Sequence, residues 1–454
     1  MKRFAEEYLV EWKQRKNRKP LILRGARQTG KTYLVEKFAG EHFNRFLKID
    51  FEFDTDIKSI FENRDPGVIT GELSLYSDYD IIPGKTLLFF DEIQACPEAI
   101  LSLRYFFEKM PELHVIAAGS LLDFTLQDFQ YAMPVGRIEF LHLFPLSFSE
   151  FLLAKNSKLS EFVSNWDFRE KINESVHTKL MELLRHFFFT GGMPEASASW
   201  IEHENLMEIQ RIQSAILTTM QNDFAKYGSR SQQEILQKVM FFVPRNMGKK
   251  VKYVNVDRDV RSYALKEAFF RLQMSRIISL VHKTDANGVP LEAEKNERIF
   301  KAVFLDIGLV NRACGLKLIN TDELITIYEG GLAEQFAGQE LLSSGPGFEE
   351  PALYYWLREE KNANAEIDYL ITHGTKVIPL EIKAGKTGTL KSMHVFLHGK
   401  KSDFGIRLNM DRPSTGNFRA RVRLKNTHDE LDYTLMSLPL YLAGQVPRIM
   451  DDFC

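Results

Sequence analysis

An α/β fold is what this sequence predicts, with a parallel sheet in its first third and a smaller α/β body at its end. Three observations carry that expectation. Strand-like and helix-like patterns alternate over residues 1–150, a glycine-rich loop ending in Lys-Thr sits between a strand and a helix, and two short strands near the C-terminus carry acids and a lysine at fixed spacing. At 454 residues the chain exceeds what one hydrophobic core supports, so roughly two to four domains are expected.

The elements follow in chain order. Met1 to Glu7 begins a charged helix with no signal-peptide core. Leu21-Ile22-Leu23 reads as a buried strand, and Leu34, Val35 and Phe38 have helical spacing. Between them Gly25-Ala26-Arg27-Gln28-Thr29-Gly30-Lys31-Thr32 spells a complete P-loop, and with it the expectation of ATP as ligand. Its glycines let backbone N–H groups curl around phosphate oxygens at a positive helix N-terminus. Lys31 reaches the β- and γ-phosphates in this reading, and Thr32 ligands Mg²⁺. An accidental glycine turn is the bland explanation, but strand, loop, Lys-Thr and helix agree against it.

Thr86-Leu87-Leu88-Phe89-Phe90 reads as a strand buried on both faces and ends in Asp91-Glu92. Asp91 is placed to hold Mg²⁺ through water and Glu92 to polarise the attacking water. Val115 to Ala118 forms a third strand, closing on Gly119-Ser120. This order of strands and helices resembles an AAA-type ATPase core, which implies that Ser120 senses the γ-phosphate, although Asn or Thr is more usual there. Arg137, in Pro134-Val135-Gly136-Arg137, is read either as an arginine finger offered to a neighbouring subunit of a ring or as a surface arginine.

Composition is that of an ordinary globular chain, 44% hydrophobic and 26% charged with a net charge of −2. Cys96, Cys314 and Cys454 are too far apart in sequence to suggest a disulfide framework or a cysteine metal site. With no apolar run of membrane-spanning length, the cytoplasm is the expected location and no membrane contact is expected.

After the core (1–150), residues 151–228 read as a helical lid interrupted by Thr190-Gly191-Gly192-Met193-Pro194-Glu195. Residues 229–295 read as helix, helix and β-hairpin, with Lys252-Tyr253-Val254 extended and a tight turn at Asp285 to Gly288, similar to a winged-helix module. Residues 245–276 hold nine Lys/Arg against three acids, which suits DNA phosphates as partner or, more blandly, a solvated charged face.

Residues 296–454 carry the second constellation. Glu366 to Ile371 and Val377 to Lys383 read as a hairpin, with Glu381 and Lys383 on one strand face and Asp368 on the paired strand. Two carboxylates make a hard-cation site, and a lysine beside them can orient water. The spacing D-x12-E-x-K resembles the PD-(D/E)xK nuclease superfamily, which implies a further acid on a preceding helix: Glu334, with Glu340 as the alternative. Residues 383–425 hold eleven Lys/Arg against two acids.

GARQTGKT (25–32), LLFFDE (87–92), GGMPEA (191–196), FLDIGL (304–309) and EIDYL…PLEIKAG (366–385) together resemble prokaryotic AAA-type ATPases with a restriction-endonuclease-like C-terminal domain. The resemblance covers nearly the whole chain and implies ATP hydrolysis, with a Mg²⁺-dependent nuclease suggested by the retained motif. The alternative is a nucleotide-switched regulatory or scaffold protein whose nuclease-like domain is non-catalytic. The resemblance leaves the substrate, the protein partner and homo-oligomerisation open.

Overall fold

The computed structural model describes residues 1–120, 136–315, 330–360, 363–383, 389–423 and 428–453. Pro134 and Val135 beside Arg137, Lys386 and Lys425 of the basic stretch, and Cys454 lie outside them. The chain divides into two compact units, one made of Met1–Pro145, Met274–Ile277 and Pro346–Glu350, the other of the remainder.

The first unit is built on five parallel strands: β1 (Leu21–Arg24), β2 (Arg45–Asp50), β3 (Thr86–Asp91), β4 (His114–Gly119) and β5 (Glu139–His142). Their order is β2-β3-β4-β1-β5. Alternate residues of each strand face opposite layers, and both layers are apolar. Ile22, Leu88, Phe90 and Ala117 join one core with Phe51, Phe61 and Phe106. Leu21, Leu23, Leu87 and Phe89 join the other with Trp12, Leu34 and Phe38. β3 is therefore buried on both faces, as its unbroken apolar run predicts. The order places β1 beside β4, so the loop after β1 and the ends of β3 and β4 gather at the carboxyl edge of the sheet, where ligands of open α/β sheets bind.

The second unit contains a mixed sheet of eight strands: β6 (Ile278–Thr284), β7 (Lys295–Phe304), β8 (Tyr354–Glu360), β9 (Ala363–His373), β10 (Lys376–Ile382), β11 (Phe404–Asn409), β12 (Ser414–Arg423) and β13 (His428–Pro439). Their order is β12-β13-β11-β10-β9-β8-β6-β7. The expected hairpin β9–β10 is present, in register from Lys376↔His373 to Leu380↔Tyr369.

Three expectations change here. The hairpin assigned to the wing of a separate module is β6–β7, and β6 pairs in parallel with β8 at His282↔Tyr354 and Lys283↔Tyr355. The expected boundary at 295/296 falls inside β7 (Lys295–Phe304), and β6 and β7 share one sheet with the later strands. Residues 253–256, expected as extended, form the short helix Tyr253–Val256. The helices Phe148–Lys155 through Leu206–Asp223, in the stretch expected as a helical lid, fall in the second unit.

Buried hydrogen bonds fasten those helices. The Gly192 N–H donates to Asp306 Oδ2 at 2.6 Å and the Leu309 N–H to Asp306 Oδ1 at 3.0 Å. A Cβ on Gly191 would lie 2.1 Å from Asp306 Oδ1, in a backbone with φ +71°. GGMPEA and FLDIGL are thus two halves of one packing joint, and their residues are committed to structure.

Candidate functional site

Gly25 opens the phosphate loop with no room for a side chain, since a Cβ there would meet the Leu143 carbonyl oxygen at 2.3 Å. Gly30 takes a left-handed turn, φ +88°, and starts the helix Lys31–His42. Lys31 is 8% exposed, and its ammonium donates to the Gly25 and Ala26 carbonyls at 3.0 and 2.8 Å. Burial draws its pKa down to about 8, against the pull of the Glu92 and Asp91 carboxylates. Thr29 is fully buried, its hydroxyl donating to the Ala26 carbonyl. Ala26 and Gln28 complete the loop, Gln28 with φ +63°.

Thr32 and Asp91, 59 residues apart, meet: the Thr32 hydroxyl donates to Asp91 Oδ2 at 2.9 Å. These paired hard oxygen donors at a phosphate loop fit a small divalent cation. Glu92 follows in a left-handed conformation, φ +48°, and its Oε2 accepts from the Gln94 amide at 2.6 Å. Ser120 closes β4, nearly buried, and its hydroxyl accepts from Arg27 Nε at 3.2 Å. Arg137 lies away from this cluster, 46% exposed and paired with Glu108 at 2.9 Å.

Sequence reasoning missed three members of this neighbourhood. Arg3, from the N-terminal segment, donates to the Thr29 carbonyl at 3.0 Å and to that of Phe144 at 2.7 Å, bracing the loop. Gln94 orients Glu92, and Lys48 on β2 lies 3.3 Å from Asp91 Oδ2. The spacing of Gln94, two residues after Glu92, was a visible signal. Arg3 and Lys48 have no motif to mark them.

In the second unit, Glu381 and Lys383 form an ion pair of 2.6 Å, with Glu381 buried and Lys383 30% exposed. Asp368 Oδ2 accepts from the Ile382 N–H at 2.7 Å, which brings it to the same end of β10. Burial and the Asp368 charge raise the Glu381 pKa, against Lys383. Among the described residues Glu381 Oε2 is buried without a hydrogen-bond partner. An orphaned carboxylate oxygen beside a second carboxylate fits a hard cation.

The expected third ligand, Glu334, carries an ion pair. It is bound by Lys301, a buried lysine on β7 whose ammonium lies 2.8 Å from Glu334 Oε1 and also pairs with Glu366. Burial opposes that charge, but Glu334, Asp368 and Glu366 hold the Lys301 pKa upward. Among the described residues no group of three or more His, Cys, Asp or Glu side chains is arranged to hold a metal ion.

Glu340 is elsewhere, with both its oxygens accepting from the Phe148 N–H at 3.0 and 3.2 Å at the start of Phe148–Lys155. Burial raises its pKa from 4.5 to about 8. A folded value above the unfolded one means that this group's contribution is full below pH 4.5 and lost as pH rises through about 8. Thermal melts from pH 4.5 to 8.5 are therefore expected to show wild type losing stability, on the order of 1–3 kcal/mol, relative to Glu340→Gln. Parallel curves would show that the carboxyl does not titrate in this window.

The first unit is an AAA-type P-loop ATPase domain, as its sheet order, phosphate loop and Thr32–Asp91 pair indicate. The family model described as an AAA domain matches residues 17–152. Two models described as domains of unknown function match residues 181–320 (DUF8612) and 329–426 (DUF4143). No curated protein matches.

Among solved structures, the chain is similar to the Walker-type ATPase PABY2304 of Pyrococcus abyssi at 13% identity and TM-score 0.43, over 69% of this chain and 95% of that one. It is similar to the ORC2 protein of Aeropyrum pernix at 12% identity and TM-score 0.34, over 71% and 92%. AMPPCP-bound DnaA from Aquifex aeolicus matches at 15% identity and TM-score 0.29, over 60% and 87%. Among the described residues no helix is long and apolar enough to cross a membrane.

Proposed function

We propose that the chain binds and hydrolyses ATP and that its second unit binds DNA through phosphates, with Asp368, Glu381 and Lys383 as a nuclease centre. The Thr32–Asp91 hydrogen bond carries the first part, because it joins loop and strand at one cation seat. In this reading Lys31 neutralises the β- and γ-phosphates, Glu92 accepts a proton from the attacking water, and Ser120 with Arg27 contacts the γ-phosphate. Mg²⁺, seated by Thr32 and Asp91, supplies charge neutralisation on the phosphates. Arg137 serves the nucleotide of a neighbouring subunit of a homo-oligomer. An ATPase assay on Arg137→Ala tests this, and an unchanged rate under assembling conditions reduces it to a surface arginine.

The DNA part is supported by a cleft of about 540 Å³ lined by Asn246, Lys249, Lys250, Lys252, Asn364 and Glu366. Lys249 and Lys252 at one opening suit a polyanion, while Lys250 there is paired with Glu359, which also lines the cleft; affinity for a polyanion falls steeply with salt as counterions are released. Supercoiled plasmid incubated with Mg²⁺ or Mn²⁺ is expected to be nicked, with the loss of at least about 100-fold in rate in Lys383→Ala typical of an electrostatic contact at a transition state. Binding without nicking would retire the nuclease and keep the DNA contact; neither, at low salt, would retire both.

A second reading has its own support. Lys301 supplies a fixed ammonium inside the acidic cluster and ties up Glu334 and Glu366, as a non-catalytic platform would require. Under it the second unit is a regulatory scaffold switched by the nucleotide, and the nicking assay separates the two.

A further inference from the structure

The Asp91 carboxylate has two oxygens with different company. Oδ1 accepts from the Glu92 N–H at 3.2 Å. Oδ2 accepts from the Thr32 hydroxyl at 2.9 Å and lies 3.3 Å from the Lys48 ammonium. The ammonium has a second partner, Glu36 Oε1, at 3.0 Å. The fold makes this triangle. Lys48 and Asp50 are two apart on β2, and Asp50 stands opposite Asp91 in the β2–β3 ladder, so the Lys48 side chain slants toward the end of β3. Glu36 is four residues after Thr32 on Lys31–His42, and therefore shares its helix face. Asp91 is 7% and Lys48 30% exposed at the side chain, a fixed acid met by an arm with freedom to swing.

Asp91 Oδ1 already accepts from the Glu92 N–H, so a water in the shell of a divalent cation seated by Thr32 and Asp91 would compete with the ammonium for Oδ2. Two cations held within a few ångströms of one carboxylate also repel each other. We propose that Lys48 is a positioning residue that competes with the divalent cation for Asp91 and is received by Glu36 when the cation enters. The proposal rests on the reading of Thr32 and Asp91 as the cation seat. Lys48 compensates the Asp91 charge whenever no metal does, so ATP phosphates approaching without metal meet a neutralised carboxylate.

The test is calorimetric titration of the full-length chain with ATP, once in EDTA and once in excess Mg²⁺, and it reads the ratio of the two dissociation constants. Lys48→Met is expected to weaken metal-free ATP binding while leaving Mg²⁺–ATP binding equal or tighter, raising the ratio about two- to five-fold, the scale of a partly exposed charge pair. Lys48→Arg keeps the charge and is expected to keep the ratio near wild type. Glu36→Gln removes the alternative partner, holds Lys48 on Asp91 and is expected to lower the ratio. A purely structural lysine would move both constants together, and an unchanged ratio in Lys48→Met overturns the proposal. Should wild type bind ATP equally well with and without Mg²⁺, the cation seat itself is refuted, an outcome separate from the failure of Lys48 alone.

Discussion

Lys31→Ala is expected to lower ATP affinity by about 100-fold or more, because two or three charge-assisted hydrogen bonds to phosphate are lost together. The side chain is nearly buried, so its place is not taken by water without cost. It also donates to the Gly25 and Ala26 carbonyls, and its removal loosens the loop that presents N–H groups to the phosphates. A thermal melt separates that structural contribution from the electrostatic one. Lys31→Arg, which keeps the charge but overfills a space bounded by backbone carbonyls, is expected to bind weakly as well. Calorimetry showing wild-type affinity in Lys31→Ala would remove the loop from nucleotide binding.

Glu92→Gln is expected to keep ATP binding and to slow hydrolysis by about 10²- to 10⁴-fold, the range for removing one positioned base. The amide keeps the size of the side chain and an oxygen that accepts from Gln94, so the left-handed residue stays where it is. What disappears is basicity. Single-turnover phosphate release measures it, and wild-type turnover in the variant would place the base on another residue. Gln94→Ala is a softer version of the same experiment, since it frees Glu92 to rotate without changing its charge.

Much of the first unit was legible because its signals are local. A loop with glycines at two sterically forced places, a lysine and a threonine at its end, and an apolar strand closing on two acids each follow from near neighbours. The pairing of Glu381 with Lys383 was legible for the same reason, since strand alternation puts residues two apart on one side. The reading ran out where the deciding partner was distant. Glu334 was named as a metal ligand from its place on a helix, and its ion pair with Lys301, 33 residues earlier, had no local signal. The supposed wing was a well-read hairpin, but its edge pairs with a strand some 70 residues further on.

By itself, the sequence determined the phosphate loop, the acids at the end of β3, the order of strand and helix in the first unit and the hairpin that carries Asp368 and Glu381. These depend on backbone sterics and on periodicities of two and 3.6 residues, which neighbours in the chain already satisfy. Tertiary structure alone decided that Lys48 shares the Asp91 oxygen, that Asp306 locks Gly192, and that a buried lysine pairs with Glu334. Each is a charge or polar group whose cost of burial must be offset by a partner, and which partner it finds is set by how the layers pack.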